Sequence, residues 1–129
     1  MPLIGYYKLV VFERYLKFDG RAARPEFWWF VLANLIIGLV LQGIAVSLQS
    51  ADNDLWQLFS FAYVVYFAAI ILPYIAVLIR RLHDTGKSGY FAFWLLLPLI
   101  GSIILIVLTV QPGDDAENEY GAVPAGLPG

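Results

Sequence analysis

FWWFVLANLIIGLVLQGIAVSL, residues 27–48, contains no charged side chain over 22 positions. A helix needs about 20 apolar residues to cross a hydrocarbon core of roughly 30 Å. Two further uncharged runs of similar length follow, at 55–79 and 90–110. Three such runs in a chain of 129 residues do not fit the core of a soluble domain, so they predict an all-α membrane protein with three transmembrane helices.

The composition supports this class and excludes several functions. Hydrophobic residues make up 60% of the chain and charged residues 14%, whereas soluble domains have about 45–50% and about 25%. The absence of cysteine excludes disulfides, thiolate catalysis and cysteine-type metal sites. The formal net charge of -2 disfavours nucleic acid as a partner. No cofactor is expected.

The basic residues predict an orientation. Residues 1–26 carry five of the eight Lys and Arg residues, and residues 80–89 carry the other three. Short loops rich in these residues stay on the cytoplasmic side of a membrane. With three spans, all eight lie on that side if the N-terminus is cytoplasmic and the C-terminus is outside. We therefore expect this orientation.

Residues 3–18 have the pattern of an amphipathic helix. Glu13, Arg14 and Lys17 fall within one arc of about 100° on a helical projection, opposite apolar residues. Such a helix is expected to lie in the plane of the membrane interface. Packing of the same apolar face on the transmembrane bundle is an alternative that the sequence leaves open.

Other features concern helix packing and the tail. Asn34, Gly38 and Gln42 are spaced four apart on the first span, where small and amide residues favour close helix contact. Pro98 in the third span is a candidate for a kink. We expect one membrane domain over residues 1–124, with an acidic, Gly- and Pro-rich tail at 111–129 that cannot form a core of its own.

RRLHDTGKSG, residues 80–89, is the polar segment between the second and third spans. Because the first two spans form a hairpin, this segment should lie beside the polar segment that precedes the first span. Gly86 is expected in the left-handed conformation that closes a helix. The charged group predicted at this surface consists of Arg21, Arg24, Glu26, Arg80, Arg81, His83, Asp84 and Lys87.

Four roles are compatible with this group. In the first role, the side chains form ion pairs. Glu26 pairs with Arg80 or Arg81, and Asp84 pairs with Arg21 or Arg24. His83 belongs to the same network. The second is a patch that binds anionic lipid head groups or an acidic partner surface. The third is general-base catalysis by His83, and the fourth is a metal site, which a single histidine makes poor. The predicted lipid- or partner-binding residues are Arg21, Arg24, Arg80, Arg81 and Lys87.

Three blocks of the chain resemble the signature segments of the "domain of unknown function 805" family. The members of this family are small bacterial inner-membrane proteins. These blocks are FDGRAARPEFW (18–28), RRLHDTGKSGY (80–90) and PGDDAENEYG (112–121). The resemblance implies a three-helix fold in the bacterial inner membrane, and hence a periplasmic C-terminus in the expected orientation. It implies no activity. Because the matching positions are the charged ones, it favours a binding role over a topology signal alone.

We therefore expect a small multi-pass membrane protein that is not an enzyme, with no catalytic, cofactor-binding or metal-binding residue. It would act as an accessory or assembly subunit whose partners are anionic lipid and another membrane protein. One rival is an oligomeric transporter or channel component, lined by Asn34 and Gln42. The other is an enzyme that acts on lipid head groups with His83 as the base.

Overall fold

The computed structural model describes residues 2–124, and most of this range is helical. Residues 125–129, the end of the predicted tail, lie outside the described range. An isolated β-bridge pairs Asn118 with Gly121. The helices are α1 (Pro2–Lys8, continued by a π-helical turn, Leu9–Glu13), α2 (Arg24–Ser50), α3 (Trp56–Asp84), a 3-10 helix (Gly89–Leu96) and α4 (Ile100–Val110).

Helices α2 and α3 form a hairpin, and within residues 2–124 they are the two helices long and apolar enough to cross a membrane. They contain 27 and 29 residues, so each extends about 40 Å at about 1.5 Å per residue. Pro25 lies in the first turn of α2, where its missing N–H has no helical partner to lose. Glu26 in the same turn complements the positive end of the helix.

Helix α1 packs on this hairpin instead of lying alone in the membrane interface. The ring of Tyr7 stacks on Phe30 of α2 with 6.0 Å between centroids, and its hydroxyl lies 2.7 Å from that of Tyr66 in α3. Val10 in the π-helical turn is fully buried. Of the two placements that the sequence leaves open, the structure has the packed one. The helical conformation ends at Glu13, before the predicted limit of residue 18.

Residues 89–110 differ from the prediction, because they do not form one continuous transmembrane helix. The 3-10 helix has 8 residues and α4 has 11, so each extends about 16 Å, roughly half of the hydrocarbon core. The carbonyl oxygen of Thr109 accepts a hydrogen bond from Arg81 at 2.9 Å, close to the end of α3 from which the segment departs. The segment therefore enters and leaves at the same end of the bundle, and we call it the re-entrant hairpin.

The reversal has a physical cause in the sequence LPLIG, residues 97–101. A proline disfavours helical backbone at the residue before it, and Leu97 is extended, with φ −108° and ψ 94°. At Gly101, an added Cβ would lie 1.6 Å from the carbonyl oxygen of Trp94, so the two arms approach too closely for any side chain. Pro98, predicted as a kink, thus lies in a full reversal of the chain.

The described tail consequently lies at an unexpected end of the bundle. The N–H of Asp114 donates to the carbonyl of Asp84 at 2.7 Å, and Arg21 donates to the carbonyl of Asp114 at 2.6 Å. Residues 111–124 therefore lie at the same end as residues 14–26. Three full spans would have placed them at the opposite end of the bundle, whereas the re-entrant hairpin returns them to the end where residues 14–26 lie.

Candidate functional site

The ends of α2 and α3 at residues 24 and 84, called here the polar end, surround a group of buried charges. Arg80 and Arg81 are 0% exposed, and Glu26 and Asp84 are 3% and 4% exposed. Burying such charges is unfavourable unless each one is paired and hydrogen-bonded. Together with Arg21, whose side chain is also buried, these residues form the arginine cluster.

Asp84 bridges two arginines of the cluster. Its Oδ1 accepts from Nε of Arg21 at 2.9 Å, and its Oδ2 accepts from Nη1 of Arg81 at 2.6 Å. Arg81 precedes Asp84 on the same helix, whereas Arg21 belongs to the irregular segment before α2. One carboxylate therefore ties the start of α2 to the end of α3. The arginine of the first segment that reaches Asp84 is Arg21 and not Arg24.

Glu26 is the second carboxylate of the cluster. Its Oε1 accepts from Nη1 of Arg80 at 2.5 Å, and Nη1 of Arg14 lies 3.0 Å from the same oxygen. Nε of Arg80 donates to the carbonyl of Lys17 at 2.9 Å. The pattern of residues 3–18 placed Arg14 on the polar face of an interfacial helix, so the sequence did not indicate its contact with Glu26.

Backbone carbonyls supply further acceptors for the arginines, although Nη2 of Arg80 is buried without a partner in the described residues. Arg81 donates to the carbonyls of Thr109 and Gln111, at and just beyond the end of α4. Since α4 has no basic residue in its last turn, Arg81 supplies the charge that complements its negative end. Sequence patterns did not indicate these acceptors, because a backbone carbonyl carries no residue signature. In the tail, Arg21 donates to the carbonyls of Asp114, Ala116 and Gly121.

Helix α3 ends as the sequence predicts. Gly86 has φ 78°, its N–H donates to the carbonyl of His83 at 3.0 Å, and the N–H of Lys87 donates to the carbonyl of Leu82 at 2.9 Å. These two bonds are those of a Schellman C-cap, which confirms the left-handed position of Gly86. The side chain of Asn118 also donates to the carbonyl of His83, at 3.0 Å, so the tail helps to cap α3.

Burial leaves two of the five predicted binding residues accessible. The side chains of Arg21, Arg80 and Arg81 lie inside the cluster. Arg24 is exposed and donates to a carbonyl at the end of α4 over 3.3 Å. Lys87 is half-buried, and its Nζ lies 3.2 Å from the side-chain oxygen of Gln111. The accessible basic patch is smaller than predicted, because three of its members bond to internal acceptors.

His83 joins this region through a hydrogen bond and a ring contact. Its Nδ1 lies 2.9 Å from the carbonyl oxygen of Gly20, and a carbonyl can only accept, so Nδ1 carries the proton of the neutral ring. Tyr120 stacks on the imidazole with 3.9 Å between centroids and 3° between planes. Desolvation and then the adjacent Glu119 raise the pKa of the Tyr120 hydroxyl. Within residues 2–124 no carboxylate hydrogen-bonds to the imidazole, since Asp84 is held by arginines.

The three predicted packing positions on α2 separate into two groups. The amide of Asn34 donates to a backbone carbonyl of its own helix and accepts from the Tyr66 hydroxyl at 2.7 Å. A Cβ added at Gly38 would lie 3.2 Å from the Phe67 ring, so this glycine permits close approach of α3. Gln42 is exposed. Steps of four residues rotate about 40° beyond a full turn, so Gln42 lies about 80° away from the direction of Asn34.

Two apolar helices of transmembrane length, a re-entrant hairpin and a buried arginine cluster define a small helical membrane protein. In the described part of the chain, no group of three His, Asp or Glu side chains is placed to hold a metal ion. The chain belongs to the family described as "Protein of unknown function (DUF805)", which matches residues 15–122. This finding confirms the resemblance seen in the sequence, and the matched range contains the whole arginine cluster.

Curated proteins of Escherichia coli (strain K12) are similar over most of the chain. "Inner membrane protein YhaI" and "Inner membrane protein YhaH" are each 38% identical, over 116 and 118 residues, which cover 90% of this chain and 92% and 93% of theirs. "Uncharacterized protein YiiR" is 28% identical over 130 residues, covering 81% of this chain and 84% of its own. No solved structure matches the chain. These relatives support a membrane protein, and their names assign no activity.

Proposed function

We propose that this protein is a non-enzymatic, partner-binding subunit that docks a helix of another membrane protein against α2. The observation that supports the proposal is Gln42, which is exposed and takes part in none of the side-chain hydrogen bonds within residues 2–124. It lies inside the uncharged run 27–48, six residues before its end. Lipid tails cannot hydrogen-bond to an amide, whereas a neighbouring helix can.

The residues around Gln42 suit close approach of a second helix. Gly43 has open space where a Cβ would be. Ser47 follows four positions later and is exposed, which gives the small-residue spacing common at transmembrane interfaces. Leu39 and Val46 flank them and are 65% and 58% exposed. These five residues are called the docking face, and the proposed occupant is a transmembrane helix that offers an amide or hydroxyl group opposite Gln42.

The proposed location is the bacterial inner membrane, with the polar end in the cytoplasm. The inner-membrane relatives support the membrane, and the basic residues of 14–24 and 80–87 support the orientation. The arginine cluster would then hold the helix ends in place while the docking face lies in the hydrocarbon region near the far surface.

Photo-cross-linking in intact cells tests the docking face. A photoreactive amino acid at position 39 or 46 is expected to give protein adducts whose yield falls threefold to tenfold when Gln42→Leu removes the amide. The matched control is the same probe at Ile103 of α4, which is 56% exposed and lies outside the face. Adduct masses distinguish a different protein from a second copy of this chain, and a second copy would favour the oligomeric rival. Equal yields with and without Gln42 would overturn the proposal.

We also propose that Arg24 and Lys87 contact anionic lipid head groups, since they are the predicted lipid-binding residues that remain accessible. Each contact at the membrane surface contributes about 1 kcal/mol. Native mass spectrometry of gently extracted protein should show bound anionic lipid that the double variant Arg24→Ala, Lys87→Ala retains less well. Unchanged lipid retention in that variant would contradict the contact.

A further inference from the structure

A cavity of about 590 Å³ lies between α3 and the 3-10 helix. This volume falls within the roughly 300–1,000 Å³ of typical small-molecule sites. Its polar side chains are His83, Ser88, Tyr90 and Tyr120. Its apolar lining consists mainly of Ile75, Ile79, Ala92, Phe93, Leu95 and Leu96. The cavity is separate from both the arginine cluster and the docking face.

His83 presents a hydrogen-bond acceptor to this cavity. Because Nδ1 donates to the carbonyl of Gly20, Nε2 of the neutral ring carries a lone pair. Nε2 faces Gly89, where an added Cβ would lie 3.6 Å away. The residue is 9% exposed, and Nε2 makes no hydrogen bond within residues 2–124. Nε2 is not a fully buried atom, so a ligand that enters the cavity can reach this acceptor and donate to it.

Ser88 supplies the complementary group. Its Oγ accepts from the N–H of Tyr90 at 3.2 Å, which leaves the hydroxyl hydrogen able to donate. His83 and Ser88 therefore offer one acceptor and one donor to the cavity. A hydroxyl group matches this pair, because it donates through its hydrogen and accepts through its oxygen.

The cavity is polar near the polar end of the bundle and apolar deeper along α3. His83 lies one residue before Asp84 at the polar end, whereas Ile75 lies about 12 Å deeper along α3. The guanidinium groups of Arg21 and Arg81, which would attract a phosphate, are already engaged by Asp84 and backbone carbonyls. A neutral head group at the surface and a hydrocarbon chain pointing inward are therefore the chemistry that this space accepts.

We propose that this cavity binds one lipid alcohol from the membrane. Its hydroxyl donates to Nε2 of His83 and accepts from Ser88, and its chain runs along the apolar wall towards Ile75 and Leu95. The site does not rest on the docking face, since it uses different helices and a different ligand.

The probe for this site is a 16-carbon primary alcohol that carries a mid-chain diazirine and a terminal alkyne. It is added to the full-length protein in nanodiscs and irradiated, and labelled peptides are located by mass spectrometry. A hydrocarbon of the same length with the same photoreactive group and no hydroxyl serves as the ligand control. The protein control is Ile36→Phe, because Ile36 lines a different cavity, of about 280 Å³, that shares no lining residue with this one.

The alcohol is expected to label residues 89–96 in the native protein and in Ile36→Phe. Ala92→Leu, which fills the cavity, should reduce this labelling about tenfold, and His83→Phe about fivefold. His83→Phe also removes the bond to Gly20, so Ser88→Ala, expected to reduce labelling about threefold, tests the polar end without that loss. Equal labelling by the hydrocarbon, or undiminished labelling of Ala92→Leu, would overturn the proposal.

Discussion

The two halves of the α2–α3 hairpin differ in how they are packed. Near the polar end, the core residues Phe30 and Leu78 are 0% and 1% exposed, because α1, the re-entrant hairpin and the tail all cover the two helices there. Towards the 51–55 connector, Leu39 and Leu58 are 65% and 58% exposed, because neither arm of the re-entrant hairpin extends that far. The polar end is packed as a protein core, whereas the far half consists of two helices with largely exposed apolar side chains.

This difference shows where the fold is specified. A bilayer holds two apolar helices across it without any help from neighbouring segments. A bilayer cannot stabilise three buried arginine side chains, because their guanidinium groups need hydrogen-bond acceptors in fixed positions. The additional segments are therefore found where the charges are, and each segment supplies either a carboxylate or a backbone carbonyl. Substitutions in the arginine cluster should accordingly destabilise the fold, whereas substitutions of exposed residues in the far half should not.

The strongest test of this contrast concerns which surface each segment reaches. The chain has no cysteine, so single cysteines can be introduced in place of Lys17, Glu117 and Asn53. A membrane-impermeant maleimide should label positions 17 and 117 from one side and position 53 from the other, because the re-entrant hairpin returns to the polar end. The cysteine-free protein controls for background, and labelling of position 117 together with position 53 would contradict the fold.

The sequence predicted the two long helices, α2 and α3, but not the division of the third apolar run into two short helices. Both outcomes follow from the criterion that was used. Uncharged length was the criterion, and 90–110 satisfies it as fully as 27–48 does. What divides 90–110 is local: Pro98 displaces the preceding backbone, and Gly101 permits close contact with Trp94. The sequence indicates a helix kink at Pro98, but a proline has the same signature whether the chain kinks or reverses its direction there. The close contact at Gly101 exists only once both arms are folded.

The second prediction addresses the charges. Asp84→Asn leaves Arg21 and Arg81 buried with one neutral amide between them, so the free energy of unfolding should fall by about 3–5 kcal/mol. Thermal unfolding of the purified protein in detergent measures this loss, and a lower steady-state amount in the membrane should accompany it. Asp54→Asn in the exposed connector is the matched control and should change stability by less than about 0.5 kcal/mol. Equal stability of the two variants would mean that the cluster does not hold the fold.

The arginine cluster was only partly predictable. The sequence brought the two basic segments together, because they flank a hairpin of apolar helices, and it placed Glu26 and Asp84 among them. It could not foresee that the tail would supply carbonyl acceptors, because the tail was expected across the membrane. Arg21 and Arg81 were therefore expected at the surface, whereas they bond to carbonyls of residues 109–121. The partners of Arg21 thus depend on the re-entrant hairpin more than on any charge pattern.

The smallest change in the free energy of unfolding is expected from alanine substitution of two glycines, one in the re-entrant hairpin and one in the far half. Gly101→Ala places a methyl group against the Trp94 carbonyl, which cannot move without shifting the hairpin, so a loss of about 1–3 kcal/mol is expected. Gly43→Ala meets nothing within 4 Å in the isolated protein, and its better helix propensity should add about 0.5–1 kcal/mol. Thermal unfolding of both purified variants gives the signs directly. Opposite signs place the structural constraint in the re-entrant hairpin, whereas a loss at Gly43 as large as that at Gly101 would show that the far half is packed as tightly.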